Sequence, residues 1–197
     1  MNKIIGLTGP TGAGKSIASA LCSKYGLKHI DCDILARQAV IKGSDGLIAL
    51  TKAFGESILN ADGTLNRKAL ASAAFKEKEK TELLNKTIFP YIKELVFKEI
   101  KNGNALLDAP TLFESGLNGI CFKTIAVLSD TPLRLNRIME RDGITEAEAL
   151  QRINAGKTYG FYRENADYII YNNKTAEEFL KDFEEVLKNI TENGENL

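Results

Sequence analysis

The chain reads as an α/β fold built on a parallel sheet, and three observations carry that reading. Short apolar runs alternate with stretches of helical periodicity along most of the sequence. A glycine-rich turn, Gly9-Pro10-Thr11-Gly12-Ala13-Gly14-Lys15-Ser16, joins the first apolar run to the first helical one. Composition fits a globular chain, with 44% hydrophobic and 26% charged residues, and 197 residues are enough to enclose one substantial core.

Taken in order, Lys3-Ile4-Ile5-Gly6-Leu7-Thr8 has the unbroken apolar character of a strand buried on both faces. Ile17 to Tyr25 follows as a helix, with Ile17, Leu21 and Tyr25 at helical spacing and Gly26 as its stop. Residues 27–32 read as the second strand, and Ile34 to Ile41 as a helix broken at Gly43. From Ser44 to Lys101 the pattern is wholly helical. Gly55, Ala61-Asp62-Gly63-Thr64 and Pro90 divide it into several short helices. Residues 104–108 and 122–128 are strands. Thr131 is placed as an N-cap with Pro132 at the first helical position of a helix through Arg141. After Asp142-Gly143, Thr145-Glu146-Ala147-Glu148 has the spacing of a capping box. Residues 167–171 form the last strand. A final helix then carries Phe179, Phe183, Val186 and Ile190 on the side facing the sheet, and the polar tail from Thr191 is expected to fray.

Composition also excludes some classes. The formal net charge is zero and no basic block occurs, which argues against a nucleic-acid surface. No apolar run approaches the roughly 20 residues of a membrane span, and no secretory leader is visible. Three cysteines, Cys22, Cys32 and Cys121, lack metal-like spacing, and their odd number argues against a disulfide framework. Free thiols in a reducing cytoplasm are the expectation. His29, the single histidine, falls within a strand and reads as structural.

The turn itself fits G-x-x-x-x-G-K-[ST], and strand before and helix after are the context that pattern requires. Gly9, Gly12 and Gly14 permit backbone conformations in which successive N–H groups converge on an anion, aided by the N-terminus of the new helix. Lys15 reaches toward β- and γ-phosphates, and the Ser16 hydroxyl suits Mg²⁺. A nucleoside triphosphate is the expected ligand. Asp31 and Asp33 end the second strand, at the edge of an open parallel sheet where ligands bind. Either carboxylate could accept the proton of an attacking hydroxyl, or simply cap the next helix. Arg37 follows Asp33 by four residues on the same helix face.

The run His29-Ile30-Asp31-Cys32-Asp33-Ile34-Leu35-Ala36-Arg37, at this distance from the phosphate loop, resembles dephospho-coenzyme A kinase. Phe54-Gly55, Asp62-Gly63-Thr64-Leu65-Asn66-Arg67, Asp108-Ala109-Pro110-Thr111-Leu112-Phe113-Glu114, Arg134 to Arg141 and Ala166-Asp167-Tyr168-Ile169-Ile170-Tyr171-Asn172 match in the same order. The resemblance implies a three-layer P-loop kinase fold with a parallel sheet, an inserted helical substrate lobe and a lid. The core would span 1–43, 102–138 and 166–191, the coenzyme-binding lobe 44–101 and the lid 139–165. It implies ATP- and Mg²⁺-dependent phosphorylation of the ribose 3′-hydroxyl of dephospho-coenzyme A, with neither nucleic acid nor membrane as partner.

Residue by residue, the resemblance makes Asp33 the base. It lines the acceptor pocket with Asp31, Arg37, Asp108, Pro110, Leu112 and Glu114. Asp108 would hold a water on Mg²⁺ or be a strand-end turn residue. Nucleotide contacts fall to Gly9, Thr11, Gly12, Ala13, Gly14, Lys15, Ser16, Ile17, Arg137 and Asn172, the last meeting adenine or serving as a turn asparagine. Arg134, Arg137 and Arg141, spaced i, i+3 and i+7, put three guanidiniums on one helix face. That face either stabilises the transferring phosphoryl, with Arg141 at the lid hinge foremost, or is solvated and paired with acids such as Glu140 and Asp142.

Four positions depart from the family pattern. Ile17 replaces a hydroxyl residue, Pro10 removes a loop N–H, Phe89-Pro90 stands for His-Pro, and Gly156 for a glutamine. A P-loop kinase for another nucleotide or small alcohol, or an ATP-binding switch without turnover, are the competing readings.

Overall fold

A computed structural model describes residues 3–192. Five strands, β1 (Ile4–Thr8), β2 (Lys28–Asp31), β3 (Ala105–Asp108), β4 (Lys123–Leu128) and β5 (Tyr168–Tyr171), form one sheet in the order β2-β3-β1-β4-β5. β1 runs parallel to both its neighbours, with Leu7 opposite Asp108 on β3 and Ile125 on β4, and β4 runs parallel to β5. The helices are α1 (Lys15–Ser19), α2 (Cys32–Gln38), α3 (Asp45–Phe54), α4 (Arg67–Ala74), α5 (Lys78–Glu99), α6 (Thr131–Asp142), α7 (Glu146–Asn154), α8 (Tyr159–Asn165) and α9 (Ala176–Glu192). The chain divides into two compact units, Met1–Ile30 with Asn102–Leu197, and Asp31–Lys101.

In the first unit, alternation along each strand sends neighbouring side chains to opposite faces of the sheet. On one face Ile5, Leu7, Leu106, Ile125, Val127 and Ile170 pack with Ala18, Cys22 and the buried side of α9, formed by Phe179, Phe183, Leu187 and Ile190. Leu187 thus takes the place expected of Val186, which is only partly buried. On the other face Ala126 and Leu128 of β4 meet Tyr162 of α8. There the segment after β3 lies so close to β1 that a Cβ at Gly6 would fall 2.7 Å from Leu112 Cδ2 and 2.9 Å from Cys121 Sγ. α7 packs on α6 through Ile138, Ala149 and Ile153, so the stretch 139–165 is part of this unit. Thr145 and Glu148 form the expected capping box, and Thr175 and Glu178 exchange the same pair of bonds before α9.

The second unit is helical, with α5 packed against α2, α3 and α4. Ser44 caps α3 and Asn66 caps α4, each by accepting a backbone N–H three residues on. The unit spans Asp31–Lys101, with α2 packed on α5.

Several elements differ from expectation. The helix after the loop stops at Ser19, and a 3₁₀ turn over Cys22–Tyr25 follows, closed by Gly26 at φ 63°. Bonds from Leu21 N to Ala18 O and from Lys24 N to Leu21 O tighten the winding, and Ala18 and Cys22 enter the core while Ile17 stays exposed. Pro90 breaks nothing: it lies inside the 22-residue α5. Both Pro90 and Lys86 are exposed, so the carbonyl that loses its bond is on the solvent side. The N-cap of α6 is Asp130 rather than Thr131, without a side-chain bond. α9 continues through Glu192, and the rest of the polar tail, 193–197, lies outside the described residues. All three cysteines are free; burial pushes the Cys22 thiol up to about 11 and that of half-buried Cys121 to about 12.

Candidate active site

The phosphate loop leaves β1 at its carboxyl end and enters α1. Gly9 has φ 144°, and a Cβ there would lie 2.1 Å from the Val127 carbonyl oxygen of β4. Gly14, at φ 96°, would place a Cβ 2.1 Å from Asn172 Nδ2. Both positions demand glycine, one for the close strand behind it and one for a side chain that grips the loop. Lys15 Nζ donates to the Gly9 carbonyl at 2.7 Å and so folds back across the loop. Because α1 has only five residues, its dipole is small, and the loop amides carry most of the anion attraction.

Three consecutive carbonyls of the loop are taken by side chains distant in sequence. Arg134 Nε donates to Thr11 O at 2.9 Å, Arg137 Nη1 to Gly12 O at 3.4 Å, and Asn172 Nδ2 to Ala13 O at 2.9 Å. Between these carbonyls the Ala13 amide closes a turn onto Pro10 O at 3.2 Å. Buried Ser129 joins the donors. Its hydroxyl accepts from Arg137 Nη1 at 3.0 Å and donates to the Asn172 carbonyl at 2.8 Å, while its own carbonyl accepts the Tyr159 hydroxyl. No buried side-chain polar atom among the described residues lacks a partner.

This arrangement redistributes the roles read from sequence. Asn172 is 1% exposed, and its side-chain amide donates to Ala13 O and accepts from Arg137. The three arginines of α6 have different partners. Arg134 and Arg137 turn to the loop, whereas exposed Arg141 pairs with Asp142 at 2.7 Å. Arg152 joins the same carboxylate at 2.5 Å. The hydrogen bonds from Arg141 hold the Asp142 carboxyl below its usual range. Leu112 is fully buried and fills the space above Gly6. Pro110 is half-buried, with its carbonyl accepting Thr8 Oγ1 at 3.3 Å, and Glu114 is exposed.

In the second unit Asp31 does cap α2, its Oδ1 accepting from Asp33 N at 2.8 Å and Ile34 N at 3.2 Å. Asp33 is exposed in the first turn that this cap organises, and Arg37 is exposed in the last. At the end of β3, Asp108 Oδ2 lies 3.7 Å from His29 Nε2, so the single histidine faces a candidate site carboxylate instead of the core. Sequence periodicity carried no sign of that pairing, nor of Ser129 and Tyr159, because each contact spans strands or helices far apart in the chain.

A divalent ion finds a limited donor set here. No cluster of three or more His, Cys, Asp or Glu able to hold a metal occurs among the described residues. Exposed Ser16 and half-buried Asp108 are hard oxygen donors. Such a sparse set fits Mg²⁺, which keeps several waters and takes its remaining ligands from substrate phosphates.

Comparison with known proteins agrees with this geometry. A family model described as dephospho-CoA kinase matches residues 3–178. A dephospho-CoA kinase of Listeria monocytogenes is 40% identical over 187 residues, covering 92% of this chain and 94% of the relative. A solved Thermus thermophilus structure superposes with a TM-score of 0.80 at 30% identity, over 96% of this chain and 98% of that one. The dephospho-CoA kinase structure from Campylobacter jejuni has a TM-score of 0.69 at 23% identity, covering 98% of this chain and all of its own, and supports the fold.

Proposed function

The chain belongs to the dephospho-CoA kinase family, a phosphotransferase family acting on an alcohol group, and on that premise we propose how its residues divide the work. ATP donates its γ-phosphoryl to the ribose 3′-hydroxyl of dephospho-coenzyme A, the last step of coenzyme A synthesis. The loop amides from Gly9 to Ser16 hold the β- and γ-phosphates, and Lys15 exchanges the Gly9 carbonyl for phosphate oxygen when ATP enters. Mg²⁺ bound at the Ser16 hydroxyl supplies charge neutralisation at those oxygens. Asp108 would accept a hydrogen bond from a water on that ion.

Asp33 takes the proton of the 3′-hydroxyl as its oxygen forms the new bond to phosphorus. The bond to the bridging oxygen breaks, and its electron pair leaves with ADP. Asp33 lies two residues past the end of β2, and the carboxyl ends of parallel strands form the ligand edge of such sheets. Asp31 contributes by holding the turn that carries Asp33, and Arg37, Pro110 and Glu114 are assigned to acceptor binding. Arg137 braces the loop near the nucleotide, and Arg141 leaves Asp142 to meet developing charge on the phosphoryl. A reducing cytoplasm, where three free thiols persist, is the proposed setting.

The observation that carries this reading is the loop whose three successive carbonyls are held from outside. The test is purified protein with ATP, Mg²⁺ and a panel of acceptors including dephospho-coenzyme A and nucleoside monophosphates. Turnover is expected with dephospho-coenzyme A alone, and ATP consumption without any acceptor would refute it. Asp33→Asn should retain ATP binding yet lose on the order of 10²- to 10⁴-fold in kcat; a near-normal rate would remove Asp33 from the base role.

A further inference from the structure

Arg134 is the arginine of α6 with the most unusual surroundings. It is 3% exposed, and its polar contacts are Thr11 O at 2.9 Å and the Tyr159 hydroxyl at 3.3 Å, with the guanidinium 5.7 Å from the Tyr159 ring centroid. All of these partners are neutral. Glu114, whose charge also reaches Tyr162 of α8, makes no ion pair with Arg134 among the described residues. A buried guanidinium ordinarily sits against a carboxylate, because its desolvation is otherwise poorly compensated. Here the cation is instead tied to the outer side of a loop built to receive an anion.

We propose that Arg134 is a positioning residue for the nucleotide: it fixes the Thr11 carbonyl outward, and its uncompensated charge is completed by the polyphosphate bound in the loop, with Tyr159 as its second anchor. The planar fork matters to this role. Nε and Nη1 reach Thr11 and Tyr159 at the same time, which a lysine ammonium on a single stem does less well and a neutral amide cannot do with charge. Tyr159 heads α8 and donates in turn to Ser129 O, so the loop, β4 and α8 are joined through one guanidinium. The inference rests on the kinase reading only in that the loop binds ATP. It says nothing about the acceptor.

Calorimetric titration with inorganic tripolyphosphate in the presence of Mg²⁺ tests it, because that ligand needs no acceptor and no turnover. Arg134→Gln, which keeps a donor and loses the charge, should weaken binding by about tenfold or more. Tyr159→Phe keeps ring and charge but removes the anchor, and should weaken it about threefold, with Arg134→Lys in between. In kinetics, KM for ATP should rise in Arg134→Gln while KM for dephospho-coenzyme A stays within about twofold. Equal rises in both constants, or tripolyphosphate affinity within about twofold of the parent, would overturn the proposal. If Arg134→Gln does not fold, Arg134→Lys and Tyr159→Phe decide the matter by the same affinities. Failure of the kinase reading shows separately, as absent turnover by the unaltered protein with dephospho-coenzyme A.

Discussion

At the scale of single residues, Gly9 and Gly14 are both forbidden a side chain, but by different neighbours, and the difference is testable. A methyl at Gly9 meets the Val127 carbonyl, part of a sheet that cannot yield, while one at Gly14 meets the end of the Asn172 side chain. Gly9→Ala is therefore expected to destabilise the fold by about 2 kcal/mol or more. Gly14→Ala, strained by its φ of 96° but facing only the movable end of a side chain, should lose about 1 kcal/mol, while Asn172 is displaced from Ala13 and ATP affinity falls by about tenfold. Equal loss of stability in the two variants would contradict this account. The loop motif was legible in the sequence because its pattern is local: glycines, lysine and serine fall within eight residues. Its support was not. Asn172 lies 159 positions from Ala13, and Arg137 lies 125 from Gly12. No periodicity links residues so far apart, and so the grip of Asn172 and Arg137 on the loop carbonyls was not legible.

Among the elements, the strands were readable because burial on both faces leaves uninterrupted apolar runs. The helices were less so where two rules compete. Ile17, Leu21 and Tyr25 have helical spacing, yet Ala18 and Cys22 lie on the buried side, and the winding tightens to suit them. Pro90 reads as a breaker, but α5 is held by packing against three other helices and accommodates it at an exposed position. Proline in a helix interior still costs up to about 3 kcal/mol relative to alanine. Pro90→Ala should therefore raise the melting temperature by about 2–8 °C, read by calorimetry. An unchanged or lower value would mean that the proline is built into a bend on which the packing of α5 depends.

For the whole molecule, the attachment of α9 has a pH dependence that can be worked out from one carboxylate. Glu184 accepts from Lys24 Nζ at 2.6 Å and from the Tyr25 hydroxyl, with Lys188 at 3.8 Å. Those hydrogen bonds, Lys24 first, lower its pKa from 4.5 to about 2. A carboxyl depressed on folding stabilises fully above its unfolded value, and that contribution fades as pH falls through the folded one. The melting temperature should accordingly drop between pH 4.5 and about 2, and Glu184→Gln should flatten that drop. Parallel curves for the two proteins would show that the clamp does not titrate in this window. Asp167, lowered by Thr124 and Lys123 against its own burial, acts in the same direction and remains in the variant.

The division of the chain also bears on its synthesis. Asp31–Lys101 is continuous, so every contact inside that unit is available early, as it emerges from the ribosome. The other unit is split around it, with the nucleotide loop made near the start and Asn172 far toward the end. A nascent chain halted before β5 would carry the recognisable glycine pattern and yet have no fastening for the Ala13 carbonyl. Competence to grip phosphate is thus acquired only once β5 has been made, although the residues that define it precede the whole helical unit.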